Sequence, residues 1–396
     1  MTASNLAHLE RDLLGGLISQ FEEAPSTSPE PIESADPSLL SSAWQKAIRR
    51  ADVEVALRSV TSLHQANPAY VWRRIRGIAL EEVSVADLEL VGQVLAIAGK
   101  QATRQKIGDL ALAIHLTTRL ALADKCRTAC DLLMWFGAPS EDGAVVSPSV
   151  PASTPVPLQE ALQQASAWLA ITARAGHVAG RWVQLVAGDE RRRHELLEQS
   201  GCPPLVQFIV RRGSSTDALN SLLVPVYQLG LHRADRLRML DRLPESFQRL
   251  GALPSYAYCL FSGPGRTALR RLLAGELGDY CRWVGITDPL RSVGHAVFQL
   301  EGGYCRDVLQ VAHAPMIRHR YEQATLLRYG TPLWVQTELK HRVRASMPEL
   351  FEHRRKVYQA SQARQASDGH VEEPSPRYGL LHEAIDFVRP AQIPTR

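Results

Sequence analysis

Residues 313–356 hold the densest set of side chains able to do chemistry. His313, Arg318, His319, Arg320, Arg328, Lys340, His341, Arg342, Arg344, His353, Arg354, Arg355 and Lys356 interleave there with Tyr321, Tyr329 and Trp334. Cations that track phosphates, beside rings that stack bases, are what single-stranded nucleic acid requires. Arg318, Arg320, Arg328, Lys340, Arg342, Arg344, Arg354, Arg355 and Trp334 are therefore the candidate nucleic-acid contacts. The same spacing also fits a solvated helical face whose aromatics point into a core.

Three smaller constellations carry other chemistry. In Ser262-Gly263-Pro264-Gly265-Arg266-Thr267, the Gly263 and Gly265 amides at a helix start, with Arg266 beside them, could receive a phosphate. The same residues also make an ordinary capped turn. Cys259, Cys281, His295 and Cys305 are zinc-binding residue types, but their spacing matches no compact ligand pattern, so no metal is expected. Cys126 and Cys130 stand one helical turn apart, where two buried thiols are expected rather than a disulfide. The Ser, His and Asp residues form no nucleophile motif, and Phe261-Ser262-Gly263 is not a nucleophile elbow.

Those residues sit in a chain of 396 residues with 45% apolar and 22% charged side chains, ordinary for a globular protein with sizeable cores. No apolar run is long enough to span a membrane, and no secretory leader is apparent. Sparse cysteines without a CxxC pair point to a reducing cytoplasm. The net charge of +4 is unevenly laid out. Residues 1–38 carry Arg11 alone against seven acids, whereas 39–138 and 158–361 carry an excess of bases. Only six of the 45 basic residues are lysines. Arginine grips phosphate through two parallel hydrogen bonds, though the bias also fits a GC-rich genome.

Periodicity predicts an all-α chain. Leu6, Leu9, Leu13, Leu17 and Phe21 form one helical stripe, which would dock on a partner or pack on its own body. Residues 24–38 read as an acidic, disordered tether. Helices follow within 39–137, with Asp52 as a cap, Asn67-Pro68 as a start, Ser84 and Asp87 as a capping pair and Gly99 as a stop. Two more are predicted over 104–120 and 122–136. Residues 138–157 are a Pro/Ser-rich linker, 158–361 a second, basic helical domain, and 362–396 a loose tail. In that second part Cys202-Pro203-Pro204 starts a helix, and Pro225 kinks or breaks another. Further helices are read over 266–277, 289–300, 322–329, 332–344 and 349–361, with a strand near 296–300 or 308–313.

Three blocks between residues 40 and 136 carry a resemblance. Ser42-Ala43-Trp44-Gln45-Lys46-Ala47-Ile48-Arg49 is the first. Pro68-Ala69-Tyr70-Val71-Trp72-Arg73-Arg74, continuing through Ile78-Ala79 and Glu81-Glu82-Val83 to Ala86-Asp87, is the second. Leu120-Ala121-Leu122-Ala123-Asp124-Lys125-Cys126-Arg127 is the third. In this order they resemble the C-terminal helical region of the replication-associated recombination protein A family. These are clamp-loader-like AAA+ ATPases related to the Werner-helicase-interacting protein. The resemblance covers about a quarter of the chain and departs at Asp124, Cys126 and Arg127. It implies a collar-like helical module with Lys46, Arg49, Arg73, Arg74, Glu81, Asp87 and Lys125 on its polar surface.

The family's ATPase loop, GxxxxGK[ST], does not occur, and Gly99-Lys100-Gln101 lacks both the preceding glycine and the hydroxyl. ATP hydrolysis and bound cofactors are therefore not expected. The reading is a non-catalytic accessory protein of DNA replication, recombination or repair. DNA, replication or recombination proteins and a second copy of the chain are its expected partners, and a membrane is not. Two alternatives stay open at this point: a scaffold of a prophage or mobile element without DNA contact, and an enzyme with a site within 255–305 around Tyr258, Arg266, His295 and Glu301.

Overall fold

The computed structural model describes residues 3–25, 29–33, 36–135, 197, 201–213, 218–231, 238–239, 248–309, 311 and 314–368. The expected linker at 138–157, the helix from Leu158, Arg191-Arg192-Arg193, His313 and the tail beyond 368 lie outside those residues. The architecture is all-α, as the periodicity predicts.

Local chemistry sets the helix boundaries. Helix α1 (Ala3–Glu22) lays its leucine stripe on its own body, with Leu13 and Leu17 buried. Asp36 accepts from the Ser38 and Leu39 amides to start α2 (Pro37–Arg50), and Ala51, at φ 56°, ends it. Asp52 caps α3 (Val53–Ala66), and Asn67, followed by Pro68, caps α4 (Pro68–Ile78). Asp87 caps α5 (Leu88–Ala98), which ends at Gly99. Ser84 plays no part in that cap; it is buried at φ 50°.

The sequence predicts one helix over 104–120, but the chain breaks at Gly108, φ 117°, into α6 (Gln101–Ile107) and α7 (Asp109–Leu122). Arg104 explains the break. Its Nε donates to Asp109 at 2.9 Å and its Nη1 to the Ile97 and Ala98 carbonyls left open at the end of α5. The following helix, α8, is shorter than predicted (Thr128–Trp135).

Within the second part α9 (Pro204–Arg212) starts after Cys202-Pro203 as expected. Helix α10 (Ala218–Leu231) runs unbroken across Pro225. Leu222, Leu223, Val224 and Val226 are all buried there, and that packing outweighs the roughly 3 kcal/mol cost of an internal proline. Helices α11 (Gly263–Leu272), α12 (Glu276–Trp283), α13 (Pro289–Val297), α14 (Ala314–Arg328), α15 (Leu333–Ala345) and α16 (Met347–Asp368) complete the helical set. Of the two positions expected for a strand, 296–300 is helical, whereas 308–313 is extended at Val308–Leu309. The only extended pairs among the described residues are β1 (Arg238–Met239) with β4 (Val308–Leu309), and β2 (Arg249–Leu250) with β3 (Leu253–Pro254), both antiparallel.

One succession occurs twice. Helices α2, α3 and α4 lead into a five-residue π turn, π1 (Ala79–Val83). Helices α11, α12 and α13 lead into another, π2 (Phe298–Gly302). In both, the third helix starts on Asn-Pro or Asp-Pro, and the fourth residue of the π turn is a buried glutamate, Glu82 or Glu301. A π turn inserts a residue into the helical ladder and re-aims the side chains after it, here a carboxylate into the interior.

The cores cross the expected division at 138–157. One apolar cluster runs from Leu13 through Leu132 to residues 197–258 and Ile317. A second is built on Leu269, Cys281, Val293, Leu339 and Val343 of α11, α12, α13 and α15. Part of the expected tether is also fixed: Ile32 is buried, its amide donates to Ser62 Oγ at 2.7 Å, and Ser62 Oγ donates to its carbonyl. No described helix is long and apolar enough to cross a membrane.

Candidate nucleic-acid interface

The second cluster carries two tryptophans that its core does not use. Trp334, in the first turn of α15, is 75% exposed, and Trp283, at the end of α12, is 82% exposed. Side chains on α15 and α12 lie between them. Trp334, Glu338 and Arg342 follow at four-residue spacing along α15, beside the buried stripe of Val335, Leu339 and Val343. Arg342 forms an ion pair with Glu338 at 2.7 Å, and its guanidinium lies 4.2 Å from the centre of the Tyr280 ring. Tyr280, itself buried in the second core, lies 6.2 Å from Trp283. The contour is roughly 20 Å, room for about six nucleotides at the 3.4 Å spacing of a stacked strand. His341, Arg344 and Arg282 are exposed on the same two helices, Arg282 paired with Asp279.

The other nominated cations divide by burial. Arg344 is exposed, Arg320 is half-buried, and Arg355 pairs with Glu352 on an exposed turn. Four are committed to the interior or to near neighbours, which corrects their assignment as DNA contacts. Arg354 is 1% exposed and grips Glu301 through two hydrogen bonds, of 3.2 and 2.8 Å. Arg318 spans Asp131 at 3.4 Å and the Gly303 carbonyl at 3.1 Å. Arg328 donates to the Met134 carbonyl at 2.8 Å, and Lys340 pairs with Glu322 at 3.0 Å. A cation so held would have to break a charge-assisted bond before it could reach a phosphate.

The family-matching residues also need correction as a polar surface. Lys46, Arg49 and Lys125 are buried, at 3%, 2% and 0% exposure. They form a polar seam between α2 and the segment 255–309. Arg49 donates Nε and Nη2 to Glu82, at 2.8 and 2.6 Å, and Nη1 to the Gly302 carbonyl of π2 at 2.5 Å. Arg50 donates to the Glu301 carbonyl and stacks on Tyr256. Lys46 donates to the Tyr256 carbonyl at 2.6 Å. Arg127 approaches Glu82 at 3.5 Å. Lys125 donates to the Ala121 and Ala123 carbonyls at the end of α7, while its backbone pairs with Asp307 and Leu309. Of the rest, Arg73 is exposed over Tyr70, and Arg74 pairs with Glu81 at 3.3 Å. Asp87 is spent on its cap.

Electrostatics follow the burial. Desolvation alone would raise the Glu82 carboxyl, but Arg49 and Arg127 outweigh it and draw it down to about 2. Glu301 behaves alike: burial raises it, and the charge and hydrogen bonds of Arg354 bring it below the ordinary range. Burial lowers the Lys125 ammonium to about 8 against the nearby Glu82. His295 is pushed down to about 3 by burial and then by Arg328 and Arg291. Its ring stacks on Tyr329 with centroids 5.0 Å apart, and meets Phe261 edge-on at 5.7 Å.

The glycine-rich turn is not an open anion site. Ser262 Oγ accepts from the Gly265 amide at 3.2 Å, and Ser38 Oγ accepts from the Gly263 amide at 3.0 Å. Arg266 donates to the Leu260 carbonyl. Gly265 is glycine for another reason: a Cβ there would sit 2.1 Å from the Cys259 carbonyl oxygen. The residues of the alternative enzyme site do not converge either. Tyr258 and Glu301 are buried, His295 lies in its aromatic box, and Arg266 is bound to Leu260. Cys126 and Cys130 are free thiols, as are the other four cysteines. Cys281 lies in the second core and Cys305 beside Arg127 and Arg49. Among the described residues no group of His, Cys, Asp and Glu is placed to hold a metal ion.

Trp283 and Tyr280 escaped the reading of the sequence, because the basic stretch beginning at 313 drew attention away from α12. Trp283 next to Arg282, on the side of α12 away from Leu277 and Cys281, was the available signal. No family model, curated protein or solved structure matches this chain.

Proposed function

We propose that this chain is a non-catalytic accessory protein of DNA replication, recombination or repair, and that it binds single-stranded DNA along the stripe Trp334–Arg342–Tyr280–Trp283. The observation that carries this reading is the pair of tryptophans exposed at 75% and 82% and linked through an arginine–tyrosine stack. Each leaves a large apolar surface in water, which a stacked base would cover at a gain of about 1–3 kcal/mol. Arg344 supplies positive charge for the phosphates on the same helix. The replication setting rests on the resemblance of residues 40–136. Self-association through those helices belongs to the same reading, and sedimentation of the full chain tests it.

The direct experiment is a salt titration of single- and double-stranded DNA binding by the full chain. Single strands should bind more tightly, with log affinity falling linearly against log salt. The pairing of Arg318, Arg328, Lys340 and Arg354 favours the second reading, a scaffold without DNA contact. No binding to either form at low salt would select it.

A further inference from the structure

We infer that Lys46 and Cys259 form an oxidative modification site, at which a hydroperoxide joins the two side chains through a covalent sulfur–nitrogen bond. The two residues lie 213 positions apart in sequence and meet in the seam between α2 and the turn 255–262. Both reach one hydroxyl. Lys46 Nζ donates to Ser42 Oγ at 3.0 Å, and Cys259 Sγ lies 3.4 Å from the same oxygen. The Phe261 amide donates to Cys259 Sγ at 3.3 Å, so sulfur is oriented by three polar neighbours. Among the described residues Lys46 is tied otherwise only to the Tyr256 carbonyl, and no carboxylate is bonded to it.

This environment separates Cys259 from Cys126, Cys130, Cys281 and Cys305. Burial pushes Cys126, Cys130 and Cys281 up to about 11 and raises Cys305. Cys259 is as buried, yet Lys46, Ser42 and the Phe261 amide together bring it below the ordinary thiol value. The thiolate is the nucleophile toward peroxide, so oxidation should select this position. Burial also lowers the Lys46 ammonium, which makes it a ready proton donor and then a free amine.

The steps balance without a further reactant. The Cys259 thiolate attacks one oxygen of hydrogen peroxide, and the O–O bond breaks. The departing hydroxide takes a proton from the Lys46 ammonium. Thiolate, peroxide and ammonium thus become sulfenic acid, water and amine. The Lys46 amine then attacks the Cys259 sulfur, the S–O bond breaks, and a second water leaves with one amine proton. The product is a sulfenamide, the counterpart at a side-chain amine of a known sulfenic-acid condensation with backbone nitrogen. Two equivalents of a thiol reductant reverse it, giving back thiol and amine and releasing a disulfide. Because the pair is buried, peroxide enters through opening of the 255–262 turn, and the reaction should quicken in sub-denaturing urea.

The test uses the full chain, treated with hydrogen peroxide and digested with trypsin for mass spectrometry. The expected product joins the peptide 250–266 to the peptide containing Lys46, lighter than their sum by two hydrogens, and it disappears on addition of dithiothreitol. Ser42→Ala, which leaves both reacting atoms in place, should change the yield at least several-fold. Cys259 oxidised to sulfinic acid with Lys46 free would overturn the inference. So would oxidation of the other cysteines in preference to Cys259, or a linked peptide that retains an oxygen between the two side chains.

Discussion

Replacing Glu82 by glutamine tests whether the polar seam is held by charge. In the folded chain this carboxylate has no exposed surface, takes two hydrogen bonds from Arg49 and lies 3.5 Å from Arg127. Its pKa lies at about 2, against an ordinary 4.5. At about 1.4 kcal/mol per pH unit, that gap corresponds to about 3–4 kcal/mol of stability. Removing one partner of a buried pair independently costs about 3–5 kcal/mol. The folded value is depressed, so the contribution is complete above pH 4.5 and is lost as pH falls toward about 2. Glu82→Gln should therefore cost about 3–4 kcal/mol in urea unfolding at pH 7. The difference from the parent should shrink steadily below pH 4.5, where the carboxyl of the unfolded parent takes up a proton that the folded chain binds only near pH 2. A variant within 1 kcal/mol of the parent at pH 7, or a difference independent of pH, would refute the reasoning.

Four further outcomes follow from the same geometry. His295 is buried neutral with its value lowered to about 3 from 6.5, so its contribution is present above pH 6.5 and lost toward pH 3. His295→Leu should flatten that part of the stability curve by up to about 1.4 kcal/mol per pH unit, read by unfolding at pH 6.5, 5.5 and 4.5. Gly265→Ala places a methyl against the backbone of Tyr258 and Cys259 and should cost at least about 2 kcal/mol, read by thermal or urea unfolding. Arg354→Ala should destabilise by about 3–5 kcal/mol by leaving Glu301 buried and unpaired. Arg344→Glu should leave stability within about 0.5 kcal/mol and reduce the salt slope of DNA binding by at least about 1.

The framework was legible because short-range chemistry set it. Asp52, Asn67-Pro68 and Asp87 cap helix starts as their side chains predict, and Gly99 stands at the end of α5 as expected. Where tertiary contacts decided, the reading failed. Gly108 became a break because Arg104 turns back on α5, and Pro225 stayed helical because its neighbours are buried. The π turns at 79–83 and 298–302 leave no periodic signature, so the burial of Glu82 and Glu301 could not be foreseen. The basic residues show the same limit at the site. Trp334 and Arg344 point outward, whereas Arg354, ten positions after Arg344 on another helix, is enclosed. Sequence spacing places a cation on a helix, but only the partner helix decides whether it meets water or a carboxylate.

The claim that the exposed aromatics form a DNA-binding stripe is tested most directly by the double variant Trp283→Ala/Trp334→Ala. Fluorescence anisotropy with a labelled single-stranded oligonucleotide gives its affinity, and urea unfolding gives its stability. Each lost stack should weaken binding roughly 5- to 150-fold, while stability stays within about 0.5 kcal/mol of the parent. Unchanged affinity in a stably folded double variant would contradict the account.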